Sequence, residues 1–120
     1  MQYMLMCCID ERSWGHLPES ERSGVVAAYG EFVQGIVRSG HFRSVARLQS
    51  AATATTLRER NGRIVTLDGP FAETREQLGG VLLIECRDLD EALAIAGRIP
   101  TLPVGGVVEV RPVENGPARP

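Results

Sequence analysis

The side chains best equipped for chemistry in this sequence crowd between Asp68 and Gln77. Asp68, Glu73, Thr74, Arg75, Glu76 and Gln77 lie within one short stretch, interleaved with Gly69, Pro70, Phe71 and Ala72. Asp68-Gly69-Pro70 is turn chemistry, because Gly tolerates positive φ while Pro fixes φ and removes a backbone donor. A plain connection needs only about two to five residues, and this stretch runs on to Gly79-Gly80. Two readings stand for Asp68: a turn cap through its own backbone amides, or a carboxylate at a cleft mouth that serves as base or ligand acceptor. Glu73 and Arg75 either form a surface ion pair or grip a polar or anionic small molecule. Phe71 pins the loop to the core. Gly69, Thr74 and Gln77 complete the candidate ligand-binding set in this stretch.

Three candidates lie outside it. Tyr29 belongs to a helix and is either core or has its hydroxyl in a cleft. Arg47, if its strand lines the same cleft, is an anion contact. His41 follows a helix end, as a dipole partner or a catalyst; it and Asp68 are the catalytic candidates. Gly69, Gly79 and Gly80 make no phosphate loop or dinucleotide fingerprint, and no nucleophile elbow occurs. Cys7, Cys8 and Cys86 show no metal-ligand or redox spacing with one another or with His16 and His41, and read as small buried hydrophobes. The sequence therefore calls for no metal and no cofactor.

These residues need elements to hold them. Tyr3 to Ile9 is a strand apolar at both parities, hence covered on both faces. Asp10 to His16 reads as a polar loop anchored by Trp14. A helix from about Pro18 to Ser39 carries Val25, Tyr29, Phe32, Val33 and Ile36 as one buried stripe, and Gly40 closes it. Phe42 to Leu48 forms a second, half-exposed strand. Thr55 to Arg60 and Arg63 to Leu67 flank Asn61-Gly62, the signal of a tight hairpin. A strand over Val81 to Glu85 follows the loop. Asp88-Leu89-Asp90-Glu91 opens a second helix as a capping box, which ends before Pro100. The last strand is Val107 to Val113. This order predicts an α+β fold, a ferredoxin-like split βαβ with an added β-hairpin. Residues 1–113 form one domain, and 114–120 a Pro/Gly-rich flexible tail.

Two helices cover one face of such a sheet, yet the first strand and Val81 to Ile84 are apolar on both. Exposed apolar patches of that size are uncommon in monomers, so the pattern predicts a homodimer that buries the second face. Thirteen basic against fifteen acidic residues leave no electrostatic footprint for nucleic acid. No apolar run approaches the roughly 20 residues that span a bilayer, and no basic signal-peptide start precedes Tyr3. A cytoplasmic protein with no nucleic-acid or membrane partner is expected.

The run from Asp68 to Gly80, DGPFAETREQLGG, resembles the signature of the DGPF branch of YCII-related proteins, in which a Lys usually stands at the position of Arg75. Met1 to Leu5, Ala54 to Arg58, Asp88 to Leu93 and Val107 to Pro112 are similar to the same family, so the likeness covers nearly the whole chain. It implies a dimeric α+β barrel type of ferredoxin-like fold, and a biochemical role that is poorly defined for most members. Related proteins carry a His and an Asp proposed to act together in a cleft. Tyr29 falls at the His position here, and no acid lies near Ser39. Some members are encoded beside extracytoplasmic-function sigma factors.

Two functions follow as expectations. One is binding of a small polar or anionic molecule in a cleft beside the Asp68–Gln77 loop, with lyase- or isomerase-type chemistry left open. The other is a non-catalytic accessory or regulatory module linked to sigma-factor transcription.

Overall fold

The computed structural model describes residues 1–114; the tail expected over 114–120 lies, but for Glu114, outside them. Strand β1 (Gln2–Ile9) leads into helix α1 (Glu11–His16) and the long helix α2 (Glu19–Arg38). Strand β2 (Phe42–Arg47), a 3-10 turn over Ala51–Thr53, and strands β3 (Thr55–Arg60) and β4 (Arg63–Asp68) follow. Strand β5 (Gln77–Glu85), helix α3 (Leu89–Ala96) and strand β6 (Val107–Pro112) complete the fold. Four strands form an antiparallel sheet in the order β2-β5-β1-β6, and β3-β4 is a separate two-stranded sheet. The main sheet is open, with β2 and β6 at its edges. A closed barrel, expected from the family likeness, is not what one chain makes: four strands are too few to curl shut.

Cross-strand partners share a face, and the pairings sort the sheet cleanly. Tyr3, Leu5 and Cys7 on β1 join Leu82 and Ile84 on β5 and Val108 and Val110 on β6. On this face they pack with Ile36 of α2, with Ala92, Ile95 and Ala96 of α3, and with Cys86 and Ile99. Leu5, Ile36, Leu82 and Ile84 are fully shut from solvent. The opposite face carries Met4, Met6, Cys8, Val81 and Leu83, all only half-buried, and exposed Val107. Nothing among the described residues packs over it as the helices do over the first face.

Local chemistry explains most of the boundaries. At the end of α2, Gly40 sits at φ +83 while its N–H donates to the Val37 carbonyl and that of His41 to Ile36, the double bond of a Schellman ending. Asn61 and Gly62 take φ values of +52 and +75, the twist a two-residue hairpin needs. The Asp88 carboxylate accepts from the Glu91 N–H at 2.9 Å. Glu91 reaches back to the Arg87 N–H at 3.0 Å.

Two expectations fail. Asp10 to His16 is a short helix, because Asp10 accepts from the N–H groups of Arg12 and Ser13 and from the Ser13 hydroxyl. The cap replaces the solvent that a polar loop would have used. Strand β5 begins at Gln77, not Val81, so Gln77 to Gly80 is sheet rather than loop. There it pairs with β1 from Gln77 on and with β2 at Gly80, with a bulge between Cys7 and Cys8 that leaves Gly79 as the extra residue. A Cβ at Gly80 would stand 3.1 Å from the Ala46 carbonyl oxygen, so the second glycine serves close strand approach. Among the described residues no helix is long and apolar enough to cross a membrane.

Candidate functional site

Helix α2 packs tightly at its C-terminal end, through Ile36, and more loosely along its middle, from Val25 to Gln34. Val25, Tyr29 and Val33 are only partly buried, and Val26 is exposed. Between this middle stretch and the sheet lies a cavity of about 780 Å³. Ligand pockets commonly span roughly 300–1,000 Å³ with apolar walls and few polar groups. Here α2 supplies Val25, Tyr29, Val33 and Gln34; β1 supplies Cys7 and Ile9; β2 supplies Val45 and Arg47; α1 supplies Glu11 and Trp14. The segment Leu48 to Ser50 and the start of β5, Leu78 to Gly80, close the rim.

The polar groups in this wall have distinct states. The Tyr29 hydroxyl lies 3.7 Å from Cys7 Sγ. Burial pushes the Tyr29 phenol above its usual range, with Cys7 adding to the shift and Arg47 opposing it. Burial likewise raises the Cys7 thiol. Both are neutral at ordinary pH, so they offer hydrogen bonds rather than a thiolate or phenolate. Glu11 is occupied: the Ser50 hydroxyl donates to it at 3.0 Å and the Ala51 N–H at 2.7 Å. This contact ties α1 to the turn that launches the hairpin.

The Asp68–Gln77 stretch borders a second, smaller groove of about 490 Å³, lined by Pro70, Phe71, Ala72, Thr74, Glu76 and Gln77 with Thr53 and Ala54. Both hollows share Cys8, Leu48, Gln49, Ser50 and Leu78, so they meet at one end of the sheet. The loop is held by its own backbone. Gly69 N–H donates to the Ala54 carbonyl at 2.7 Å, and the Thr56 hydroxyl donates to the Gly69 carbonyl at 2.8 Å. The Thr74 hydroxyl donates to the Glu76 carbonyl at 2.7 Å. Arg75 Nε donates to Asp10 at 3.3 Å, which fastens the loop to the α1 cap.

The structure thus divides the candidates from the sequence. Tyr29 and Arg47 share the larger cavity; Phe71, Thr74 and Gln77 line the groove. Asp68 closes β4 opposite Thr55, exposed, and with Gly69, Glu73 and Arg75 it lines neither hollow. Phe71, expected as an anchor, is 79% exposed. His41 stands at the far end of α2, its Nδ1 2.7 Å from the Ser39 hydroxyl and its Nε2 3.4 Å from Glu91. Glu11, Gln34 and Gln49 entered no reading of the sequence. Gln34 follows the apolar Val33 and Gln49 closely follows Arg47, but only the packing of α2 on the sheet turns these neighbours into wall residues. Among the described residues no group of three or more metal-ligating side chains converges.

With the geometry in hand, comparison with known proteins adds the lineage. The model of the YCII-related domain matches residues 1–115. An uncharacterised protein of Rhizobium meliloti is 39% identical over 114 residues, an alignment that covers 94% of this chain and 92% of that protein.

Proposed function

The chain belongs to the YCII-related domain family, and from that premise we propose that it is a small-molecule-binding domain whose ligand occupies the cavity between α2 and the sheet. The observation that carries this is the cavity itself: a preformed, largely apolar hollow with Tyr29, Gln34, Arg47 and Gln49 placed around it. Binding is favoured over acid–base catalysis because burial keeps Tyr29 and Cys7 protonated and Glu11 is already hydrogen-bonded. The Asp68–Gln77 loop then acts from the rim, through the residues its groove shares with the cavity, and its sequence supports placement in the DGPF branch.

The antiparallel order β2-β5-β1-β6 supports a ferredoxin-like arrangement. The half-buried Met4, Met6, Val81 and Leu83 support a homodimer joined through that face. Val33→Trp tests the ligand site. The indole would fill the hollow, and a thermal-shift screen of small organic molecules that stabilise the wild type should lose its hits. Hits that persist unchanged in a folded Val33→Trp protein would place the ligand elsewhere and refute the proposal.

A further inference from the structure

The wall of the α2–sheet cavity carries two formal charges, and they are not equivalent. Both oxygens of Glu11 are engaged, by the Ser50 hydroxyl and by the Ala51 N–H. The Arg47 guanidinium has no hydrogen bond or ion pair among the described residues, and it is the only Lys or Arg among them lining the cavity. Tyr29 and Cys7 stay neutral and offer it no anion. A guanidinium at an apolar cavity mouth is a planar fork of donors, matched by a carboxylate that accepts two parallel bonds. Beyond it the walls are Ile9, Trp14, Val25, Val33 and Val45, which suit a hydrocarbon or aromatic body.

Phosphate fits less well. A dianion facing one Arg would carry uncompensated charge into an apolar hollow. The first free N–H groups of α1 are taken by Asp10, and the first turn of α2 is acidic, with Glu19 and Glu21. We infer that the cavity takes an amphipathic monocarboxylate, its carboxylate forked on Arg47 and its apolar or aromatic body between α2 and the sheet. This rests on the cavity being the ligand site.

The test uses three probes on the full chain: phenylacetate, its neutral analogue phenylacetamide, and inorganic phosphate, each followed by backbone amide NMR shifts at Val25, Val33 and Val45. Phenylacetate should bind about tenfold or more tightly than the amide, the usual weight of a charge-assisted bond, and phosphate should shift none of these residues. Arg47→Gln, at an exposed strand end, should bring phenylacetate down to the level of the amide and leave amide binding unchanged, with an unaltered circular dichroism spectrum. A carboxylate preference that survives Arg47→Gln, or phosphate that displaces phenylacetate, overturns the inference. Equal binding of amide and carboxylate overturns the ligand class and keeps the cavity as a site. No cavity shifts with either organic probe takes both down together.

Discussion

Leu82 and Leu83 are neighbours on β5 that face opposite ways, so truncating each to Ala compares the two faces of the sheet with the chemistry held constant. Leu82 is fully buried, with Leu5 and Val45 opposite it on the flanking strands and the helices above. A cavity left there cannot collapse easily, and Leu→Ala at such sites costs about 2–5 kcal/mol. For a chain of this length the entropy of unfolding is roughly 0.25 kcal/mol/K near the midpoint, so Leu82→Ala should lower Tm by about 8–20 °C. Leu83 lies among Met4, Ser44 and Val81 on the uncovered face and is only half-buried. Within one chain its truncation should cost about 1 kcal/mol or less. If a second copy covers that face, the loss must grow with protein concentration, because association stabilises the folded state by mass action. Urea unfolding at 0.1 μM and 100 μM, on the order of the range where dimers dissociate and form, separates the cases. The Leu82→Ala loss should be the same at both, and the Leu83→Ala loss should be larger at the higher concentration. A Leu82→Ala cost below about 1 kcal/mol would refute the account of the core. A Leu83→Ala loss independent of concentration would refute the covered face.

Other measurements follow from the same structure. Asp10 titrates below its ordinary 3.8: burial alone would raise it, but hydrogen bonds from Ser13, Arg75 and Arg12 outweigh that. A folded-state pKa held down contributes stability that is present above the unfolded value and lost as pH falls through the folded one; carboxyl NMR should show that low midpoint, and Arg75→Ala should move it up. Asp88→Ala removes the cap of α3 and should cost about 1 kcal/mol in chemical denaturation; a neutral result would mean Glu91 alone holds that end. In the dissociated monomer at low protein concentration, iodoacetamide should modify half-buried Cys8 before buried Cys7 and Cys86, read by peptide mass mapping. Cys7 reacting first would contradict its shielded, raised-pKa position.

What could be seen in the sequence was what is decided locally. The stripe of α2, the Asn61-Gly62 turn and the Asp88 cap depend on residues within a few positions of each other, and their elements fall where the pattern put them. The parity of β1 and β5 also disclosed an apolar second face, since a strand's period of two shows both sides at once. Helix α1 was missed because its six residues, with Trp14 the one large apolar side chain, carry no periodicity; the Asp10 side chain caps them into a helix. The early start of β5 was missed because it depends on partners far away, Ile9 and Cys8 on one side and Arg47 on the other. The cavity was missed for the same reason. Tyr29 and Arg47 could be picked out singly, but that they face one hollow while Asp68 and His41 stand apart is set by helix–sheet packing.

The hairpin leaves and rejoins the main sheet at a single point. Leu48 N–H donates to the Gly79 carbonyl at 2.9 Å, and Arg47 lies opposite Gly80, so the chain departs from β2 beside the place where it enters β5. Everything between is an excursion with its own two-stranded pairing. Such an insertion can be lengthened, shortened or exchanged between lineages while β2 and β5 keep their register. Its roots, Leu48 to Ser50 and Leu78, are also the seam where the two hollows meet. Divergence in this segment can therefore reshape the mouth of the cavity without touching the packed interior, which gives a stable scaffold freedom to drift in what it accepts.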